Sequence, residues 1–168
     1  MIDKPIIAQT KLQAAAVIHL TVSRSEIRVV IGPAYEELVR EVNKQGFVPS
    51  GPWFTHHLRF PEGKFDFEIG FPIEGKILPA GRVKPGILPA VTVARTVYHG
   101  GYEELAKAWA EFDSWIEKAG YIPAGDLWEC FAVGPESNPD PKTWRTELNR
   151  PVTKIIQEKI SNHHYSSE

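Results

Sequence analysis

Two strand-like segments set a glutamate at matching points of an alternating pattern. In Phe65-Asp66-Phe67-Glu68-Ile69-Gly70-Phe71 the aromatic and aliphatic residues take one face, and Asp66, Glu68 and Gly70 take the other. In Trp144-Arg145-Thr146-Glu147-Leu148-Asn149 the split recurs, with Arg145, Glu147 and Asn149 sharing a face. Paired carboxylates have two chemical uses. They can hold a cationic ligand, or they can act as general acid and base on water if burial raises one pKa. The bland alternative is that both glutamates are solvated on an open sheet face. Other residue types offer less. A single cysteine, Cys130, rules out an internal disulfide and a cysteine-based metal site. His56 and His57 are adjacent, so on one strand their rings point to opposite faces and cannot chelate together. His163 and His164 lie in a polar tail, and no Ser/His/Asp spacing suggests a nucleophile. The pattern predicts no metal and no cofactor.

The elements that position these residues come from a duplication. Gly46 to Gly51 (GFVPSG) and Gly120 to Gly125 (GYIPAG) are 74 residues apart, whereas YEEL at Tyr35 and again at Tyr102 repeats after 67. Helical periodicity decides between the registers. Leu105, Ala108, Trp109, Phe112 and Ile116 form one apolar helix face, and a shift of 74 matches them with Ile31, Ala34, Tyr35, Leu38 and Val42. The shift of 67 puts Glu41 on that face instead. The spacing between Glu68 and Glu147 is 79, and the extra residues fit the turn-rich stretch from Gly134 to Pro141. Each half therefore reads strand, helix, strand, strand.

Along the chain, a strand is predicted over 12–22, a helix from the Ser23-Arg24-Ser25-Glu26 cap region to about Gln45, and a hairpin over 53–60 and 65–73. Pro33 inside the first helix predicts a kink or a late helix start. The Gly/Pro-rich stretch 74–89 reads as a linker. The second half follows as a strand over 90–98, a helix over 102–119, and strands over 127–133 and 143–152. A polar tail spans 153–168, with a helical turn about Ile155 to Ile160. At 168 residues the two repeats (about 12–73 and 90–152) can share one core, giving a single domain over 1–168. A net charge of −2, with no basic run and no helix-turn-helix pattern, argues against direct nucleic-acid binding. No segment has the length and apolarity of a signal peptide or a membrane span, so the expected location is cytoplasmic.

FDFEIGFP, LPAVTVARTVYHGGYEELAKAW, GYIPAG and DPKTWRTELNRPV, in that order, resemble the GyrI-like small-molecule-binding domain. That domain is also found as the effector-binding half of AraC- and MerR-type transcription regulators. The resemblance runs from about residue 12 to residue 152, and the chain is similar to the stand-alone members. It implies an α+β fold of two strand-helix-strand-strand modules sharing one curved antiparallel sheet. It also implies two helices on one face of that sheet and a ligand cleft on the other.

By the resemblance, the pocket glutamate falls on Glu147 and its counterpart in the first half on Glu68, facing each other across the pseudo-twofold axis. Aromatic residues are abundant, with 5 Trp, 5 Tyr and 8 Phe. Trp53, Trp128, Phe131 and Tyr98 are the candidate walls. A carboxylate removed from water needs a positive partner, and ring faces attract cations by roughly 0.5–2 kcal/mol each. The implied function is capture of amphipathic, cationic aromatic small molecules, as in multidrug binding. Hydrolysis of electrophilic cyclopropane-type toxins by the same carboxylates is the alternative. A gyrase-inhibitor-like protein-binding role is a third, resting on the resemblance alone.

Overall fold

The computed structural model describes residues 1–155. The tail turn expected beyond Ile155, and His163-His164, lie outside the described residues. The first module comprises β2 (Gln13–Ser23), α1 (Ile27–Lys44), β3 (Phe54–Arg59) and β4 (Lys64–Pro72). The second comprises β6 (Thr92–His99), α2 (Leu105–Lys118), β8 (Leu127–Val133) and β9 (Arg145–Lys154). Short strands β1 (Ile6–Gln9), β5 (Val83–Leu88) and β7 (Tyr121–Pro123) complete the set. All pairings are antiparallel, and eight of the strands follow the order β1-β6-β9-β8-β3-β4-β2-β5, with β7 on β9.

The helices carry the duplication in the register of 74. Ala34, Leu38 and Val42 are the buried residues of α1, and Ala108, Phe112 and Ile116 those of α2. Each helix is closed by a glycine in the left-handed region, Gly46 at φ +80° and Gly120 at φ +85°. The two YEEL copies differ in structure, since Tyr35 lies mid-helix and Tyr102 opens a 3-10 turn before α2. Pro33 does not delay α1, which is continuous across it. The carbonyl that its missing N–H leaves free belongs to Val29, a residue 73% exposed, so water can take that bond.

Two cores lie under the helices. Leu38 and Val42 of α1 pack on Ile18, Phe67, Ile69 and Phe71, and Phe112 and Ile116 of α2 pack on Tyr98, Leu148 and Val152. A third cluster, Ala15, Val17, Phe54, Leu88, Val93 and Trp128, fills the opposite face of the sheet.

What closes that opposite face was only partly visible in the sequence. Within the stretch read as a linker, β5 pairs with β2, and β1 pairs with β6. The two pairings share one register, Ile6 opposite Arg95 and Ile18 opposite Val83. Thr10 bridges the break between them, its N–H donating to the Val91 carbonyl at 2.9 Å and its hydroxyl to the Pro89 carbonyl at 2.7 Å. The chain over 6–18 and 83–95 is thus one long ribbon that joins the outer strands of both modules. β5 escapes a sequence reading because Pro85 and Gly86 interrupt its apolar pattern.

Candidate functional site

α1 covers β2 and β4, α2 covers β6, and neither covers the central pair β3 and β8. A cleft of about 940 Å³ opens there, between the helices and on their own side of the sheet. Its size is that of a generous small-molecule site, for which roughly 300–1,000 Å³ is usual. The expectation of a cleft on the face turned away from the helices is therefore corrected. That face has no room, because Phe54, Trp128 and Val17 fill it. A Cβ on Gly70 would stand 2.5 Å from Phe54 Cζ, and one on Gly86 would stand 2.7 Å from the Val17 methyls.

The floor of the cleft follows from strand parity. Thr55 and His57 rise from β3, and Leu127, Glu129 and Phe131 from β8. Ile27, Arg28 and Ile31 of α1 form one wall, and Leu105, Ala106, Trp109 and Asp113 of α2 the other. One end is aromatic. Trp53 stacks on Phe131 at 4.1 Å between ring centroids, Tyr102 meets Phe131 edge-on at 5.7 Å, and Trp144 lies 5.0 Å from Tyr102. At the other end Phe60 stacks on His57 at 5.6 Å, and the Arg24 guanidinium lies 5.5 Å from the Phe65 ring centre.

Glu129 sits at the centre, only 7% exposed. Its carboxylate accepts the Thr55 hydroxyl at 2.8 Å and the Trp109 indole N–H at 2.8 Å, and the His57 ring lies 3.6 Å away. Burial pushes this carboxyl up, but His57, Trp109 and Thr55 more than offset burial and hold it below the ordinary glutamate range. Thr55 is both the cross-strand partner of Glu129 and its counterpart 74 residues earlier, so the pseudo-twofold axis passes through this pair. Asp113, one helical turn beyond Trp109, behaves oppositely. Burial raises its pKa, and Arg150, whose Nη1 donates to Asp113 Oδ1 at 3.4 Å, only partly restores it. Burial, with Glu136 and Glu129 nearby, lifts the Tyr102 phenol to about 12.

The sequence-chosen residues divide. Trp53 and Phe131 line the cleft. Glu68 and Glu147 do not, since alternation carries both to the opposite face. There Glu147 accepts from Asn149 Nδ2 at 3.0 Å and lies 3.5 Å from Arg95 Nε, while Glu68 stands in a cross-strand row between His19 and His56. Trp128 is buried among Phe54 and Val17, and Tyr98 beneath α2, its hydroxyl donating to the Gly101 carbonyl at 2.7 Å. Glu129, the carboxylate that does line the cleft, was missed. A signal for it existed, because it is a lone charge between Leu127 and Phe131 on one face of an otherwise apolar strand. Among the described residues no three His, Cys, Asp or Glu side chains converge as a metal ion requires.

The duplicated α+β modules thus frame a cleft of small-molecule size, with Glu129 and Thr55 paired on the pseudo-twofold axis and aromatic rings around them. Comparison with known families makes this specific: residues 4–153 match the GyrI-like small molecule binding domain, and the chain belongs to that family. No curated protein matches it. Among solved structures it is similar to the EcmrR C-terminal domain, with 21% identity and a TM-score of 0.79 over 90% of this chain and 98% of that one. Against EcmrR in its complex with DNA, the chain spans 58% of the EcmrR length (21% identity, TM-score 0.77, 90% of this chain). It is also similar to SAV2435 bound to tetraphenylphosphonium, with 13% identity and a TM-score of 0.67 over 97% and 99% of the two chains. A hydrolase from Listeria innocua shares 12% identity and a TM-score of 0.62 over 89% and 92%. No helix among the described residues is long and apolar enough to cross a membrane.

Proposed function

We propose that this protein captures amphipathic, cationic aromatic small molecules in the cleft between its helices, with Glu129 as the charge partner and Trp53, Trp109, Phe131 and Tyr102 as the ring surfaces. The observation that carries this reading is the state of Glu129. It is buried yet held ionised, beside open space walled by aromatic rings. Thr55 and Trp109 are neutral donors that solvate the carboxylate without cancelling its charge, and the His57 ring, 3.6 Å away, adds positive charge on one side when protonated. A lipophilic cation in the cleft supplies a full positive charge on the carboxylate's open side, and ring faces reinforce it. The tetraphenylphosphonium held by the similar SAV2435 is such a cation, which supports the reading.

The test is a titration of a cationic dye beside a neutral analogue of the same shape. Glu129→Gln keeps the shape and one acceptor but removes the charge. It should weaken the cation about tenfold or more, from the roughly 1.5–3 kcal/mol of a charged contact, and leave the neutral analogue within about threefold. Equal losses for both would assign Glu129 to packing.

A second reading rests on a separate observation. Asp113 and Glu129 line the same cleft from α2 and β8, so two carboxylates face one space, and burial pushes the Asp113 carboxyl up. Hydrolysis of an electrophilic cyclopropane-type compound fits that pairing, with Glu129 activating water and Asp113 donating a proton. Incubation with an activated cyclopropane should then add one water by mass, and both Asp113→Asn and Glu129→Gln should abolish the gain. Recovery of the compound unchanged leaves binding alone.

A further inference from the structure

The cleft is electrically polarised along its length, and the binding reading above leaves that unused. Antiparallel pairing of β3 and β8 fixes the order of the floor, from Trp53 and Phe131 at one end through Thr55 and Glu129 to His57 and Leu127. Glu103 lines the aromatic end, where Glu136 lies 3.4 Å from the Trp53 indole nitrogen. Arg24, Arg28 and Arg150 line the remainder. Arg150 is committed, because it donates to the Ala124 carbonyl at 2.9 Å and to Asp113. Arg24 and Arg28 are different. Among the described residues neither forms an ion pair with a carboxylate. The nearest acid in sequence, Glu26, is held by the Ser23 hydroxyl at 2.5 Å and does not line the cleft. The N-cap residue of α1 is Glu26, whose carboxylate offsets the helix dipole, so the positive charge at this end is that of the two arginines. Arg24 is steadied over the Phe65 ring.

We infer that the Arg24/Arg28 end of the cleft is an anion subsite, and that the preferred ligands are zwitterionic: a flat cationic ring system over Glu129 joined to a carboxylate that reaches these arginines. This rests on the reading of Glu129 as a cation partner. Arg24 lies at the turn end of the β3–β4 hairpin, over Phe65, and four to five residues of strand at about 3.3 Å each separate the level of Thr55 from that of Arg59 and Phe60, so the two charges of the ligand lie roughly 13–17 Å apart. The arginines are exposed, so the subsite acts as a selector among cations rather than as the main source of affinity.

The test uses one flat cationic dye bearing a carboxylate on a flexible chain long enough to span that distance, as the methyl ester (a monocation) and the free acid (a zwitterion), titrated at low salt. The free acid should bind about three- to tenfold more tightly, and raised ionic strength should shrink that preference. Arg24→Gln/Arg28→Gln should erase the preference, weakening the free acid while the ester binds as tightly or more tightly once the nearby positive charge is gone, and Arg28→Glu should reverse it. Both positions are exposed, so the fold tolerates them. If the ester binds in a Glu129-dependent way and the acid binds no better, the anion subsite is overturned and the cation site stands. If the ester's binding ignores Glu129→Gln, both readings fall together.

Discussion

Glu129 holds its charge although it is buried, and three neighbouring side chains decide that: the His57 ring first, 3.6 Å away, then Trp109 and Thr55. Thr55 and Trp109 each give it a hydrogen bond at 2.8 Å. Thr55→Val keeps the shape and removes one donor, which raises the carboxyl pKa and shifts the loss of cation binding to higher pH. Dye titrations in parallel on the two proteins measure that shift. The opposite face supplies a control. Gly70→Ala forces a methyl against Phe54 and Val17, with Cβ distances of 2.5 and 2.9 Å, so it should cost roughly 1–3 kcal/mol of stability. Dye affinity, measured well below the melting temperature, should not change, because neither Gly70 nor Phe54 lines the cleft. A loss of affinity equal to that of Glu129→Gln would mean that the two faces are coupled.

α1 is divided by Pro33 into a part that faces ligand and a part that holds the core. Ile27, Arg28, Ile31 and Gly32 line the cleft, whereas Ala34, Leu38 and Val42 are buried beneath the rest of the helix. The first part is held less firmly, with Ile27, Val30 and Ile31 only partly buried against the core, so the first two turns are the segment best able to open for a ligand. Pro33→Ala restores the bond to the Val29 carbonyl and should add about 1–2 kcal/mol, less than the full interior-proline cost because proline also restrains the unfolded chain. Stopped-flow binding should become slower as the opening is suppressed; faster or unchanged association would remove α1 from the entry route. β4 offers an acid-stability test. The His19 contact to Asp66 at 2.5 Å, with Arg59 at 2.6 Å, outweighs burial and holds Asp66 below its ordinary 3.8. A carboxyl depressed in the folded state adds stability above its unfolded pKa and loses it as pH falls through the folded one. Asp66→Asn should therefore be less stable at neutral pH and lose less stability on acidification below pH 3.8. The element scale is also where the sequence was most readable. Helix periodicity gave the register that Leu38 and Phe112 occupy, and alternation gave the faces of β4 and β9. The site was less readable, because alternation says which residues share a face but not which face a helix leaves open. Thr55 and Glu129 become a pair only once β3 and β8 are known to be neighbours.

The two modules share a sheet by two separate seams, β3 against β8 beneath the cleft and the 6–18/83–95 ribbon on the far side. The seams hold the helices at a fixed separation, so the cleft does not depend on helix–helix contact. The ribbon has a further consequence, and it concerns time rather than shape. A nascent chain can form α1 and the β3–β4 hairpin early, but the free edge of β2 waits for residues 83–88, and β1 waits for 92–95. Such long-range pairing slows folding, because chain entropy is lost before the contacts that reward it are made. A chain stopped after residue 75 should therefore remain an aggregation-prone intermediate with an unpaired strand edge. Chains stopped at successive lengths beyond residue 100 should turn protease-resistant in one late step, once β8 and β9 have joined the ribbon's two halves. Resistance acquired module by module would show that each repeat still folds as the independent unit from which the duplication arose.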